Sequence, residues 1–309
     1  MAGNLSEKSS LDAVLAALKQ GRAVARSSWP DAAPDPQQIG LSVQAGQVLP
    51  PPGALWVDAR RLNDDLPAGW QAEVLLSVGS TNTRLMERCR EASVHGQVLT
   101  AEFQSLGRGR RGRQWVGPVA RNVALSLGFA TTQPPFRLGS ASLVVGLAVR
   151  EALAGLGAEP LALKWPNDVL SEAAKVCGIL VEVGAGEPNH LIVGIGVNVE
   201  FADRELERLD REATDLRRLG VTATRGEICA EIVHKVVEYL AQYDRLGFAP
   251  FAPAFDEVHA YHGQQCRIQS GASWVDGQVL GVKPDGRLRL LTERGEEAFA
   301  AGEVSLRPK

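Results

Sequence analysis

Seven consecutive positions, Gly107-Arg108-Gly109-Arg110-Arg111-Gly112-Arg113, carry four arginines and three glycines. Glycine lets a backbone approach a bound group and turn its N–H toward it, while guanidinium forks grip phosphate or carboxylate bidentately. Such a loop can close over a small anion. A solvated basic loop and a glycine/arginine RNA-binding segment are the other readings, the RNA reading being weakened by a single copy flanked by apolar strands. A second cluster is Leu163-Lys164-Trp165-Pro166-Asn167-Asp168, followed by Lys175-Val176-Cys177-Gly178-Ile179-Leu180. Pro166 halts a strand and Asn167-Asp168 favours a turn, which places polar groups where sites are commonly built. Lys175 either snorkels from its apolar neighbours to water or is aimed at an anion. The third is Gly194-Ile195-Gly196-Val197-Asn198, where two glycines alternate in a β-branched strand and invite a close approach by a ligand or another backbone. It lacks the spacing and following helix of a dinucleotide fingerprint.

The elements that must hold these groups follow from periodicity. Ser10 caps a helix carrying Leu11, Val14, Leu15 and Leu18 and ending at Gly21. Prolines 30, 34 and 36 and the run Pro50-Pro51-Pro52 confine residues 27–53 to loop and short extended pieces. A strand at 72–78 leads to Gly79-Ser80-Thr81-Asn82, where Ser80 or Thr81 caps a helix through Leu85 and Cys89. Strands are expected at 98–103, 123–129, 162–164, 178–183 and 191–199, with helices at 140–156 and through Ile228, Ile232, Val236 and Leu240. Strands separated by helices, with hairpins mixed in, give an α/β (α+β) sandwich around one mixed sheet. Beyond Tyr261, short strands at 265–268, 274–282 and 287–291, with a Pro284-Asp285-Gly286 turn, suggest a β-barrel of about 50 residues.

Composition bounds the function. The 309 residues suggest two or three domains, and 45% hydrophobic with 22% charged residues is a globular balance. The net charge of −3 lacks the footprint of a nucleic-acid binder, so any anion site is local. With no basic and apolar leader and no long apolar run, the cytoplasm is the expected compartment and no membrane is expected. Cys89, Cys177, Cys229 and Cys266 are too widely and irregularly spaced for a zinc site or a disulfide framework, and read as buried thiols.

Taken in order, Gly-Ser-Thr-Asn at 79–82, Glu102-Phe103-Gln104, the arginine loop with Trp115, Lys-Trp-Pro-Asn-Asp at 164–168, Lys175 with Gly178-Ile179-Leu180-Val181-Glu182, and Gly-Ile-Gly-Val-Asn at 194–198 resemble the bacterial biotin protein ligases. The resemblance runs from about residue 70 to 309, where Gly302-Glu303-Val304-Ser305-Leu306-Arg307 looks like the end of an SH3-like barrel. It implies a mixed-sheet catalytic domain of the class II aminoacyl-tRNA synthetase and biotin ligase type at 66–260, an SH3-like domain at 261–309, and a short degenerate N-terminal segment at 1–65. It implies an ATP-dependent, Mg²⁺-assisted ligase that forms biotinyl-5′-AMP and passes biotin to a lysine of the biotin carboxyl carrier protein of acetyl-CoA carboxylase. Some family members dimerise, so a homodimer is one state the resemblance allows.

By matching positions, Ser80, Thr81, Asn82 and Gln104, with Gly107, Arg108, Arg110 and Gly178, are the expected biotin contacts. Lys175, Arg110 and Arg113 are the expected catalytic groups, Lys175 bridging the biotin carboxyl and the α-phosphate. Arg110, Arg111, Arg113, Trp115, Asn167, Asp168, Lys175, Asn198 and Arg307 are expected around the nucleotide, Asp168 also as the Mg²⁺ or lysine-positioning group. Many relatives begin with a winged helix-turn-helix and double as repressors. Here the stretch after the first helix is short and proline-broken, and residues 1–65 hold six basic against seven acidic side chains, so DNA binding is not expected. A bifunctional ligase and biotin-operon repressor is the alternative reading, tested by biotin-dependent binding to an operator-like duplex; a lipoate or octanoate ligase and a non-catalytic biotin binder are the other classes, separated by biotin-dependent ATP–pyrophosphate exchange.

Overall fold

The structure, a computed structural model, describes residues 10–51, 56–184, 186, 188–209, 212–270, 273–301 and 304–308. It opens with α1 (Leu11–Lys19), whose N-cap Ser10 side chain accepts from the Ala13 N–H and whose stripe Val14, Leu15 and Leu18 is buried. The proline-rich stretch then forms three short strands, β1 (Val24–Ala25), β2 (Ser42–Gln44) and β3 (Gln47–Leu49), in the order β1-β3-β2. α1 and these strands enclose a small core of their own, with Trp29, Ile39, Leu41 and Val48. That core also takes in Phe103, Val119 and Ala120, which flank the arginine loop in sequence. The triplet Pro50-Pro51-Pro52 ends, at Pro52, outside the described residues, as do the N-terminal nine.

α2 (Ala59–Asp64) leads into a seven-stranded sheet of β4 (Gln71–Leu75), β5 (Gln97–Ala101), β6 (Val123–Thr131), β7 (Ala162–Lys164), β8 (Asp168–Ser171), β9 (Ala174–Gly184) and β10 (Asn189–Val197). Its order is β4-β5-β6-β10-β9-β8-β7, with only β4 and β5 parallel, so the sheet is mixed as the pattern predicts. The parallel pair is joined through α3 (Thr81–Cys89), which lies on one face. α4 (Ala141–Gly155) and α6 (Arg225–Leu246) cover the other, with the four-residue α5 (Asp203–Leu206) between β10 and α6 and α7 (Ala252–Glu257) after it. The helical run Pro135–Gly155 is long and apolar enough by composition to cross a membrane, but 67% of its most apolar window is buried in this fold. It is a core helix, packed between the sheet and α6.

The last domain is a five-stranded antiparallel sheet, β14 (Gly295–Phe299), β13 (Leu288–Thr292), β12 (Ser273–Val282), β11 (Gln265–Ser270) and β15 (Val304–Pro308) in spatial order, around Ile268, Val279, Leu288 and Leu290. Gly286 of the turn before β13 has φ +86° and sits against Ser140, while its carbonyl accepts the Trp165 indole N–H at 3.1 Å. The sequence reading missed β8 and β14, each four or five residues long and lacking a clear apolar alternation. All four cysteines are buried thiols.

Candidate active site

Strand register explains where a cavity can exist. Across the middle of the sheet, Asp168 pairs with Gly178, Gly178 with Gly196, and Gly196 with Ala124. The next rung holds Leu180, Gly194 and Ser126. Small side chains on adjacent strands leave a hollow on the α3 face, a cavity of about 450 Å³, of a size ordinary for small-ligand sites. The glycines were expected to admit a ligand or a backbone. What approaches them is side chain: the Trp115 indole lies so close that a Cβ at Gly196 would stand 2.3 Å from its ring and one at Gly178 2.9 Å, while a Cβ at Gly194 would be 2.7 Å from Asn82 Oδ1.

At one end of the cavity α3 begins. Ser80 is the N-cap, accepting from the Thr83 N–H, which places Thr81 and Asn82 on the first turn, both almost fully buried. Gln104 Oε1 accepts from the Thr81 N–H at 2.8 Å and stands 3.1 Å from its hydroxyl. Ser126 Oγ lies 2.8 Å from Thr81 Oγ1 and 2.9 Å from Asn82 Oδ1. One hydroxyl hydrogen serves only one of these acceptors at a time. When Ser126 donates to Thr81 and Thr81 to Gln104, Asn82 Oδ1 is left able to accept an N–H from a ligand. The sequence reading had no role for Ser126; a lone polar residue inside the apolar run Val123–Phe129 was its signal.

Further along stands Lys175. β8 and β9 slip register between Val169 and Leu170, so that Val176 has no partner on β8, while its carbonyl accepts from the Asn198 N–H on the other side. This bulge sends Val176 and Cys177 both into the core and turns Lys175 to the cavity. Of the two readings of this lysine, the structure selects the inward one: it is 9% exposed, its Nζ is 2.5 Å from Asp168 Oδ1 and 5.5 Å from the centre of the Trp115 ring. Its backbone is held on both sides, the N–H donating to Glu212 O and the C=O accepting from Thr214 N–H and from Asn198 Nδ2, each at 3.0 Å. Asn198 therefore lines the cavity while fixing the lysine strand. Asp168 is held by Lys175, and among the described residues no group of three metal-ligating side chains forms.

The arginine loop covers the mouth. It folds back on itself through Gly109 N–H to Arg113 O at 2.7 Å and Trp115 N–H to Gly107 O at 2.8 Å. Arg108 pairs with Glu182 at 2.8 Å and reaches Thr83 Oγ1 at 3.2 Å. Arg110 donates to Asn167 Oδ1 at 3.2 Å and to the Ala301 carbonyl of the last domain; burial pulls its guanidinium pKa below the usual value. Arg111, at φ +58°, reaches Gln269 Oε1 at 3.3 Å on the same domain. Arg113 lines the opening.

Ser80, Thr81, Asn82, Gln104, Arg108, Arg110, Arg111, Arg113, Trp115, Asn167, Asp168, Lys175, Gly178 and Asn198 thus share one cavity wall. Two expected residues do not. Gly107 lies in the shallow outer recess behind the loop, where a Cβ would strike Trp115 O at 2.3 Å, so its smallness serves the loop's own fold. Arg307 is exposed, and it is the neighbouring Leu306 on β15 that faces the cavity, because successive strand residues point to opposite faces. Gly302 and Glu303 of that segment lie outside the described residues. The sequence reading also lacked Arg208, Leu209 and Ala213, brought to the rim by a segment whose only sequence signal is its position after Asn198.

Residues 74–198 match the family model described as the biotin/lipoate A/B protein ligase family, and residues 261–307 that of the biotin protein ligase C terminal domain. A biotin--[acetyl-CoA-carboxylase] ligase of Mycobacterium tuberculosis is 35% identical over 259 residues, covering 80% of this chain and 95% of that protein. The bifunctional ligase/repressor BirA of Salmonella typhimurium is 31% identical over 264 residues, 85% of this chain and 82% of its own length. Among solved structures, the Aquifex aeolicus biotin protein ligase in complex with biotin and ATP superposes with a TM-score of 0.66 at 31% identity, covering 77% of this chain and 99% of that one. This chain belongs to the biotin protein ligases of the biotin/lipoate A/B protein ligase family.

Proposed function

We propose that this chain joins biotin to ATP and transfers the biotinyl group to a lysine of a biotin carboxyl carrier protein. The observation that carries this is the placement of Lys175, an almost buried cation between the polar cluster at the start of α3 and the arginine loop. The first step brings two anions together. A carboxylate oxygen of biotin attacks the α-phosphorus, the bond to the β-phosphate oxygen breaks, and pyrophosphate leaves. Mutual repulsion and the charge growing on the leaving group must both be offset by cations fixed in advance. Lys175 supplies one at the junction, and Arg110 and Arg113 line the side where the polyphosphate would lie. The ureido group of biotin offers two N–H donors and one carbonyl acceptor, which suits the Ser80, Thr81, Asn82, Gln104 and Ser126 cluster at the other end.

Trp115, lying over Gly178 and Gly196, separates the two halves and keeps Lys175 in place through its ring face. Asp168 would be the carboxylate that helps hold a Mg²⁺ carried by the triphosphate, an ion that would offset charge on the phosphates. In the second step the carrier lysine's amine attacks the acyl carbon, the carbon–oxygen bond to AMP breaks, and the amine's proton passes to solvent or a nearby base.

We divide the chain into a head at 1–65, a catalytic domain at 66–260 and an SH3-like domain at 261–309, acting in the cytoplasm. We assign the chain no repressor role: in the described part of the head α1 is followed by three short strands and α2 has only six residues, an arrangement unlike a helix-turn-helix pair. Lys175→Ala is expected to lower biotin-dependent ATP–pyrophosphate exchange by about 10³-fold with the fold intact. Exchange at the wild-type rate, or exchange supported by lipoate and not by biotin, overturns the proposal.

A further inference from the structure

Glu182 stands on β9 at the seam between α3 and the arginine loop, two residues beyond the cavity-lining Leu180 and on the same face. Its two oxygens take three donors. Oε1 accepts from Arg108 Nη2 at 2.8 Å; Oε2 accepts from Asn82 Nδ2 at 2.8 Å and from Arg108 Nη1 at 3.4 Å. An ionised carboxylate only accepts, and a guanidinium only donates. The Asn82 amide has no such restriction, since either end can face either kind of partner, and its orientation is set by what surrounds it. Facing a carboxylate at 2.8 Å, with a second and longer contact of 3.4 Å to the Leu180 carbonyl, it turns Nδ2 outward to Glu182 and Oδ1 inward, toward Ser126 and the cavity.

We propose that Glu182 is a positioning residue: it fixes the Asn82 amide so that its carbonyl, and not its NH₂, is offered to a ligand N–H, and it ties that choice to Arg108 of the covering loop. The inference rests on the functional reading above, which supplies the N–H as a ureido N–H of biotin. A glutamine at this position would carry one acceptor oxygen and one NH₂ where Glu182 has two oxygens. With its oxygen kept on the Arg108 Nη2 side, where the bond is 2.8 Å, the NH₂ falls opposite Asn82; Arg108 cannot turn into an acceptor and Asn82 can, so Asn82 gives up its 3.4 Å contact with Leu180 O, flips and presents NH₂ to the N–H of the ligand.

The test is a double-mutant cycle read by biotin binding and by exchange kinetics. Glu182→Gln is expected to raise both the biotin Kd and the biotin KM at least 10-fold, with the ATP KM changed less than twofold. Glu182→Asp, which keeps an acceptor-only group, should lie nearer the wild type than Glu182→Gln. In an Asn82→Ala background, the Glu182→Gln penalty should shrink below threefold, because the amide it orients is gone. A merely structural role predicts the same penalty in both backgrounds, and that result overturns the inference. So does Glu182→Gln binding biotin like the wild type, or Glu182→Asp being the worse of the two. A wild-type chain that neither binds biotin nor supports exchange overturns the functional reading and this inference with it.

Discussion

The floor of the cavity is made by omitting atoms. Gly196, Gly178 and Ala124 stand in one rung, and the indole of Trp115 occupies the space that side chains there would fill. Gly196→Ala would put a methyl within 2.3–2.7 Å of three indole atoms, so the ring must leave and its contact with Lys175 goes with it. Adenylation measured by pyrophosphate exchange is expected to fall 10-fold or more, with the melting temperature little changed. Gly155→Ala, at the end of α4 with nothing within 4 Å of the new atom, is the control and is expected to be neutral. At this scale the sequence was legible where a residue's type alone carries the meaning. A cap at Ser80 or Thr81, which the structure places at Ser80, Lys175 as a cation and the paired glycines as a close approach all follow from side-chain chemistry. What the glycines approach was not legible, because Trp115 comes from another segment and only register brings it to them. Glu182 and Ser126 were equally out of reach: each acts through a neighbour on a different strand.

The elements show a loop fixed at both ends. The stems of the arginine loop run from Phe103 and toward Val119 and Ala120, which are buried against the N-terminal head, where Val119 N–H also donates to Ile39 O at 3.0 Å. Its tip is fixed by Arg110 to Ala301 O and Arg111 to Gln269 on the last domain. Arg110→Ala removes both the contact that closes the loop and a cation of the cavity wall. Biotinyl-adenylate is expected to escape at least 10-fold faster, measured by release of labelled intermediate in the absence of a carrier protein. Unchanged escape would leave Arg110 without a role in holding the loop. Periodicity found the main helices and the longer strands, but not the bulge at Val176, which has no signature in residue type and yet decides which way Lys175 points. The head was legible only as an absence of long helices, since strands of two or three residues leave too few positions for alternation to show.

At the scale of the whole molecule, the seam between the catalytic domain and the SH3-like domain runs past His259. Leu163 N–H donates to Val258 O at 2.7 Å and Ala260 N–H to Leu163 O at 2.8 Å, so His259 is carried in the joint itself. Its Nδ1 accepts from the Tyr261 N–H at 3.0 Å, and its Nε2 is buried with no partner among the described residues. Burial first, and the charge of His262 second, push the imidazole pKa down to about 4. The unfolded chain takes up a proton near pH 6.5 that the folded chain refuses until about pH 4. Stability from this group is therefore complete above pH 6.5 and is lost as pH falls toward 4, by up to roughly 3 kcal/mol. Asp256 nearby works the other way, since burial raises its carboxyl pKa and the folded form then binds the proton more readily as pH falls. The measurement is thus a difference: urea titrations at pH 7 and pH 4.5 of the wild type and His259→Gln, with the variant expected to lose less stability between the two.

The loop suspended between head and barrel has a thermodynamic consequence. A ligand that favours the closed loop favours the anchorages that close it, and linkage makes the coupling equal in both directions. The head, none of whose described residues lines the cavity, then feels occupancy as added resistance to opening, and whatever loosens the head is felt at the cavity as weaker retention.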